Sequence, residues 1–215
     1  MGRLFSLVTL LTSILGADAG YSQSAVTGLP SSGEIIERYQ DDTRGRHPVP
    51  VLLQKVMVGM YDPDFFRTEL PQYSRTTLKA SERVRSVREV RKTGVLANAF
   101  AVSNTLSREE IVNWHTNTVY WGRSCYRPND AALVYFGKEI DGLSLGEIAY
   151  LAGIVIAPSH FDPERHPDRA IERRNATLKE LAKTSFFSED EIADAVLEDL
   201  DFVHPLGKCD RPRDR

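Results

Sequence analysis

The 215-residue sequence has few of the residues that staple or metallate small proteins, with two cysteines, Cys125 and Cys209, and five histidines. Two cysteines exclude a disulfide-rich scaffold and a thiolate metal site. They leave two readings open: one bridge in an oxidising compartment, or one small buried residue and one free thiol, since spacing alone does not bring two Cα atoms within reach. Beyond the first two dozen residues, no apolar run approaches the roughly 20 residues that a membrane-spanning helix requires. Alternating strand-like runs with hairpin turns are missing too, leaving room for a minor hairpin at most. Neither sign of charge dominates: 27 basic residues face 30 acidic ones for a formal net charge of −3. That balance calls for neither nucleic acid nor an anionic membrane. The chain is long enough for one domain with a buried core.

The first residues differ from the rest. Arg3 precedes an apolar run from Leu4 to Gly16, and Ala17-Asp18-Ala19 follows it. This is the layout of a secretory signal peptide over residues 1–19, with a retained N-terminal anchor as the alternative. Residues 20–33 are small, polar and Gly/Pro-bearing and are expected to form a flexible lead. A single domain over 34–202 and a polar tail over 203–215 complete the expected organisation.

Inside the domain the period is helical. A short helix is expected over Glu34–Gln40, broken by Gly45, Pro48 and Pro50, and Val51–Met60 is apolar at helical spacing. Three times a Ser is followed three residues later by a Glu at the head of an apolar-periodic segment: Ser107/Glu110, Ser144/Glu147 and Ser188/Glu191. Each pair can cap a helix reciprocally. Pro158, Pro163 and Pro167 interrupt the chain, and a fourth helix is expected over 168–184 with Ala170, Ile171, Ala176, Leu178 and Leu181 on its inner face. Trp114, Tyr120, Trp121, Tyr135 and Phe136 are expected in the core. The fold class is therefore all-α.

Several ordered segments carry a resemblance. Leu106-Ser107-Arg108-Glu109-Glu110-Ile111 is followed by Asn117-Thr118-Val119-Tyr120-Trp121-Gly122 and by Tyr135-Phe136-Gly137-Lys138. Leu143, Leu145, Glu147, Ala149, Leu151, Ala152 and Gly153 come next, then Arg173-Arg174-Asn175 and Leu178. In order and spacing these resemble the C-terminal motifs of glycosyltransferase family 51, the peptidoglycan glycosyltransferase domain of penicillin-binding proteins and monofunctional transglycosylases. The resemblance implies a lysozyme-like helical domain and export across the inner membrane to the periplasm or cell envelope. It implies lipid II or a glycan strand as ligand, a possible cell-wall synthesis partner and peripheral membrane contact. A divalent cation is possible by the same resemblance, with no cofactor otherwise expected.

The acidic positions depart from the family. Met60 to Phe66 resembles its first motif, but Tyr61 stands where a Glu is expected and only Asp62 of the acidic pair is kept. Arg91-Lys92 resembles the opening of its third motif, with Val95 at the following Glu position, and the Gly/Ser/Thr/Gln-rich second motif is not recognisable. Family members join a glycan to the 4-hydroxyl of lipid II and release undecaprenyl diphosphate, which calls for a base and for stabilisation of the leaving group. A phenol with a pKa near 10 is a poor base at neutral pH, and valine transfers no proton. Asp62 is the better candidate for catalysis if the protein is active; Asp64, Glu69, Glu82 and Glu89 lie in or near the same region, and the three glutamates are expected as solvated surface carboxylates. Arg91, Lys92, Asn117, Arg173 and Arg174 are candidates for holding a diphosphate or a glycan, with surface or structural roles as the alternative. Glu147 is a cleft residue or a helix cap. His115 is expected as a satisfied helix residue rather than a metal ligand. The sequence thus favours a degenerate binding protein; an active polymerase and a lysozyme-like hydrolase are the alternatives.

Overall fold

The computed structural model describes residues 29–84 and 93–210. Among them there are nine α-helices and no strand, the all-α domain that the periodicity implies. The helices are α1 (Ser32–Thr43), α2 (Val51–Tyr61), α3 (Arg75–Ser81), α4 (Thr93–Thr105), α5 (Arg108–Thr118), α6 (Pro128–Phe136), α7 (Leu145–Ile154), α8 (Pro167–Leu181) and α9 (Glu189–Leu197). Two 3-10 turns lie at Pro71–Tyr73 and Ile140–Gly142.

All three expected capping boxes form, with the Ser hydroxyl accepting from the Glu amide and the Glu carboxylate accepting from the Ser amide, at the heads of α5, α7 and α9. A fourth, Ser31/Glu34, starts α1 inside the segment expected as lead, because its Pro-Ser-Ser-Gly context masks the cap. Pro128 starts α6 at a position where a missing amide costs nothing. Helix α5 ends at Thr118, so Trp121 reaches the core from the following loop. Three of the core expectations differ: Tyr120 is 41% exposed, and Ile171 and Ala176 face solvent on α8. For these the helical period is a poor guide, because Tyr120 lies past the end of its helix and α8 buries only a narrow stripe.

Two apolar clusters build the interior. The larger gathers Trp121, Tyr135, Tyr150, Leu151, Leu178 and Leu181 around α7, and the smaller gathers Ile35, Phe65, Val102, Ile111 and Trp114. Helix α2 is shared between them, giving Leu53, Val56 and Met57 to the first and Val58 to the second. Helices α7 and α8 form the most extensive pair. Gly153 allows that closeness, since a Cβ there would lie 2.5 Å from Thr177 Oγ1.

A buried carboxylate pins the smaller cluster. Asp42, 7% exposed, accepts two bonds from Arg83 (2.9 and 3.0 Å) and one from the Trp114 indole (2.9 Å). Burial alone would raise its pKa, but these donors hold it below the usual value. Residues 203–210, within the expected tail, are largely exposed but tied to the domain at several points. The Val203 amide donates to the Tyr135 carbonyl, and Cys209 is joined to Cys125 with a Cα–Cα distance of 5.0 Å. Of the two readings of the cysteines, the bridge is the one found. It anchors the turn at Gly122, Arg123 and Ser124, which all have positive φ, while Arg123 binds Asp162 through two bonds.

The bridge closes a sequence separation of 84 residues, a span for which the chain-entropy model gives about 4 to 5 kcal/mol. Changing both Cys125 and Cys209 to Ser is expected to lower the unfolding free energy in urea by several kcal/mol. An unchanged midpoint would contradict it.

Candidate functional site

Tyr61 and Asp62, the acidic pair's positions by the resemblance, lie where α2 ends. Helix α7 is buried from Gly146 to Ile154, so its last carbonyls need partners inside the protein. The Tyr61 hydroxyl donates to the Ala152 carbonyl (2.9 Å), the Arg173 Nε donates to the Gly153 carbonyl (2.7 Å), and the Ala157 amide donates to the Ile154 carbonyl (3.0 Å). The Arg173 guanidinium also lies 5.4 Å from the centre of the Phe161 ring. Burial pushes the Tyr61 phenol above its usual range, against the opposing charge of Arg173. At neutral pH this side chain is a protonated donor.

Asp62 follows at the end of α2, and its Oδ2 accepts the Thr76 amide at 3.1 Å, in the first turn of α3. The Ser74 hydroxyl accepts from the Thr77 amide beside it. Val95, 40% exposed, offers its backbone carbonyl to the Ser81 hydroxyl at the far end of α3. The seven residues of α3 make a helix about 10 Å long, so Asp62 and Val95 meet its opposite ends. His115 on α5 is pushed down to about 4 by burial and by the charge of Lys79, and is neutral at pH 7.

The other candidates are dispersed. Glu147, 1% exposed, closes its capping box and receives Lys138 Nζ at 2.7 Å. Arg174 donates to the carbonyls of Ala195, Val196 and Glu198 and so caps the end of α9. Asn117 lies with Arg46 and Arg127 in an open pocket of about 490 Å³ next to the 45–47 turn. Arg91 and Lys92 lie outside the described residues. Of the other basic residues between Arg67 and Lys92, Arg67 pairs with Asp64, Lys79 with Glu82 and Arg83 with Asp42. Among the described residues, no group of three or more His, Cys, Asp or Glu could hold a metal ion. Arg46 and Arg127 are 81 positions apart, and no motif or spacing marks their convergence.

Residues 70–182 match the transglycosylase family. The chain belongs to that family. Among curated relatives, it is 36% identical over 110 residues to penicillin-binding protein 1A of Pseudomonas aeruginosa, covering 51% of this chain and 13% of that protein. A Cupriavidus necator protein named as a transglycosylase is 36% identical over 102 residues, covering 47% of this chain and 44% of that one. The chain therefore matches less than half the length of either relative. A crystal structure of penicillin-binding protein 1A from Haemophilus influenzae superposes with a TM-score of 0.48 at 23% identity, covering 74% of this chain and 18% of that chain. The transglycosylase match includes Val95, Asn117, Glu147 and Arg173. It also covers the segment after residue 70 in which the second motif is not recognisable, and it begins after Tyr61 and Asp62.

Two outcomes follow. Tyr61→Phe removes one buried hydrogen bond and leaves the Ala152 carbonyl unpaired, which is expected to cost about 1 to 3 kcal/mol in urea unfolding; no loss would mean that the bond does not support the fold. For His115 the folded pKa of about 4 lies below the unfolded value of about 6.5. The unfolded chain binds more protons between these values, so stability is full above pH 6.5 and falls as the pH drops toward 4. His115→Gln should flatten this part of the pH–stability curve, and a curve identical to wild type would refute the assignment.

Proposed function

We propose that the protein is an exported member of the transglycosylase family that binds peptidoglycan glycan strands or lipid II without polymerising them, and that it serves cell-wall synthesis as a binding component beside a catalytic partner. The observation that carries this reading is the Tyr61 hydroxyl committed to the Ala152 carbonyl at the position where the resemblance expects a catalytic Glu. A general base must accept a proton near the attacking hydroxyl, and base catalysis is commonly worth about 100- to 10,000-fold. Tyr61 is a buried donor with a raised pKa and lacks that capacity. Val95 has no titratable group. Asp62 keeps a carboxylate, but it is engaged with the first turn of α3.

Export is supported by the N-terminal pattern of Arg3, Leu4–Gly16 and Ala17-Asp18-Ala19, and by the Cys125–Cys209 bridge, since disulfides persist in oxidising compartments. No helix among the described residues is long and apolar enough to cross a membrane.

The test is incubation of the purified chain with labelled lipid II and, separately, with intact sacculi. The expected result is no polymer and no released muropeptide, together with retention of lipid II or glycan on the immobilised protein. Polymer that disappears in Asp62→Asn would establish an active polymerase instead, and released muropeptides a hydrolase.

A further inference from the structure

The pocket that holds Asn117 includes none of Tyr61, Asp62 and Val95 among its lining residues. It is lined by Arg46, His47, Asn117, Arg127 and the first turn of α6. Two guanidinium groups face one space here, and burial followed by the charge of Arg127 weakens the hold of Arg46 on its proton. Arg46 donates to the Asn117 carbonyl and His47 is paired with Asp141, while the Arg127 side chain has no hydrogen bond or ion pair among the described residues. No side chain caps α6, so its first-turn amides and the positive end of its dipole are directed to the same place. Asp130 is the one carboxylate among the residues lining this pocket, where two guanidinium groups face it, and Asp210 is added only in the pocket beyond.

Asn117 adds an independent requirement. It is 2% exposed, its Nδ2 donates to the backbone and side-chain oxygens of Asn113, and its Oδ1 has no hydrogen-bond partner. A buried acceptor left unpaired costs stability, and this one belongs to a residue that lines the pocket. Past Arg127 and Asp130 the surface continues into a second pocket, which Tyr126 lines. Tyr126 and Tyr120 are 42% and 41% exposed and lie 5.1 Å apart between ring centres. Their faces are apolar and their edges polar, which suits the CH and OH surfaces of a sugar ring.

We propose that this groove is a second binding site, distinct from the family's catalytic positions, for an acidic carbohydrate. Its carboxylate or phosphate is held between Arg127, Arg46 and the start of α6, and its sugar rings run along Tyr126. The site discriminates by charge: a neutral sugar chain of the same backbone loses the guanidinium contacts. Only the choice of sugar as probe rests on the glycan-binding reading above.

The test is calorimetric titration of the full chain with three probes: peptide-free peptidoglycan glycan strands, which carry carboxylates, neutral chitohexaose, and inorganic pyrophosphate. The strands are expected to bind at least about tenfold more tightly than chitohexaose. Arg127→Gln, whose exposed side chain has no partner to lose, is expected to weaken strand binding about tenfold, as removal of a charge-assisted bond does, without moving the melting temperature. Tyr126→Ala is expected to weaken both sugars alike. Equal affinity for acidic and neutral chains, or unchanged strand binding by Arg127→Gln, would overturn the proposal. Binding of pyrophosphate without any binding of the strands would overturn the carbohydrate assignment. Polymerisation of lipid II by the wild-type protein would end the non-catalytic reading and leave this comparison intact.

Discussion

A helix buried from Gly146 to Ile154 has to find partners for its end groups inside the protein. At the start of α7 the side chains of Ser144 and Glu147 supply them, and Lys138 donates to the Glu147 carboxylate. At its end, Tyr61 and Arg173 donate to the carbonyls of Ala152 and Gly153. The rest of the larger core is assembled around this helix, with α8 close enough to require Gly153 and α2 crossing on another side. A donor is therefore needed where Tyr61 stands. A carboxylate in the same place would direct negative charge at carbonyl oxygens.

Helix α2 transmits the consequence. It contributes to both apolar clusters, it ends in Tyr61 and Asp62, and it starts beside the turn that carries Arg46 and His47. Its C-terminal end is tied by Tyr61 to α7 and by Asp62 to α3. Its N-terminal end adjoins a pocket with unpaired positive charge and an unpaired acceptor. Polar capacity is consumed by structure at one end and remains available at the other, which is the physical basis for placing ligand recognition away from the Tyr61 position.

Much of the fold was legible because it is written locally. Capping boxes are formed by residues three apart, so Ser107, Ser144 and Ser188 announce their helices directly; Ser31 escaped because its neighbours look like a linker. Helices α3, α4 and α6 were harder to read, since α3 is short and threonine-rich and α6 opens on a proline. Long-range features left no such trace. Bonding between Cys125 and Cys209 depends on a chain path that spacing does not encode. Arg173 and Arg174 are neighbours in sequence, yet one serves α7 and the other α9, because adjacent helical residues point about 100° apart. The role of Tyr61 as a donor to Ala152 depends on a contact 91 positions away. The sequence shows a tyrosine where the resemblance expects an acid, but not the structural use of that tyrosine.

The central claim is that Tyr61 holds a structural place that a catalytic carboxylate cannot share. The most direct measurement restores both acids, in a Tyr61→Glu, Val95→Glu variant, and follows unfolding free energy and lipid II polymerisation together. The account predicts a protein destabilised by about 2 kcal/mol or more, as expected when a buried acceptor faces other acceptors, with no glycan polymer formed. A variant as stable as wild type that polymerises lipid II would contradict it.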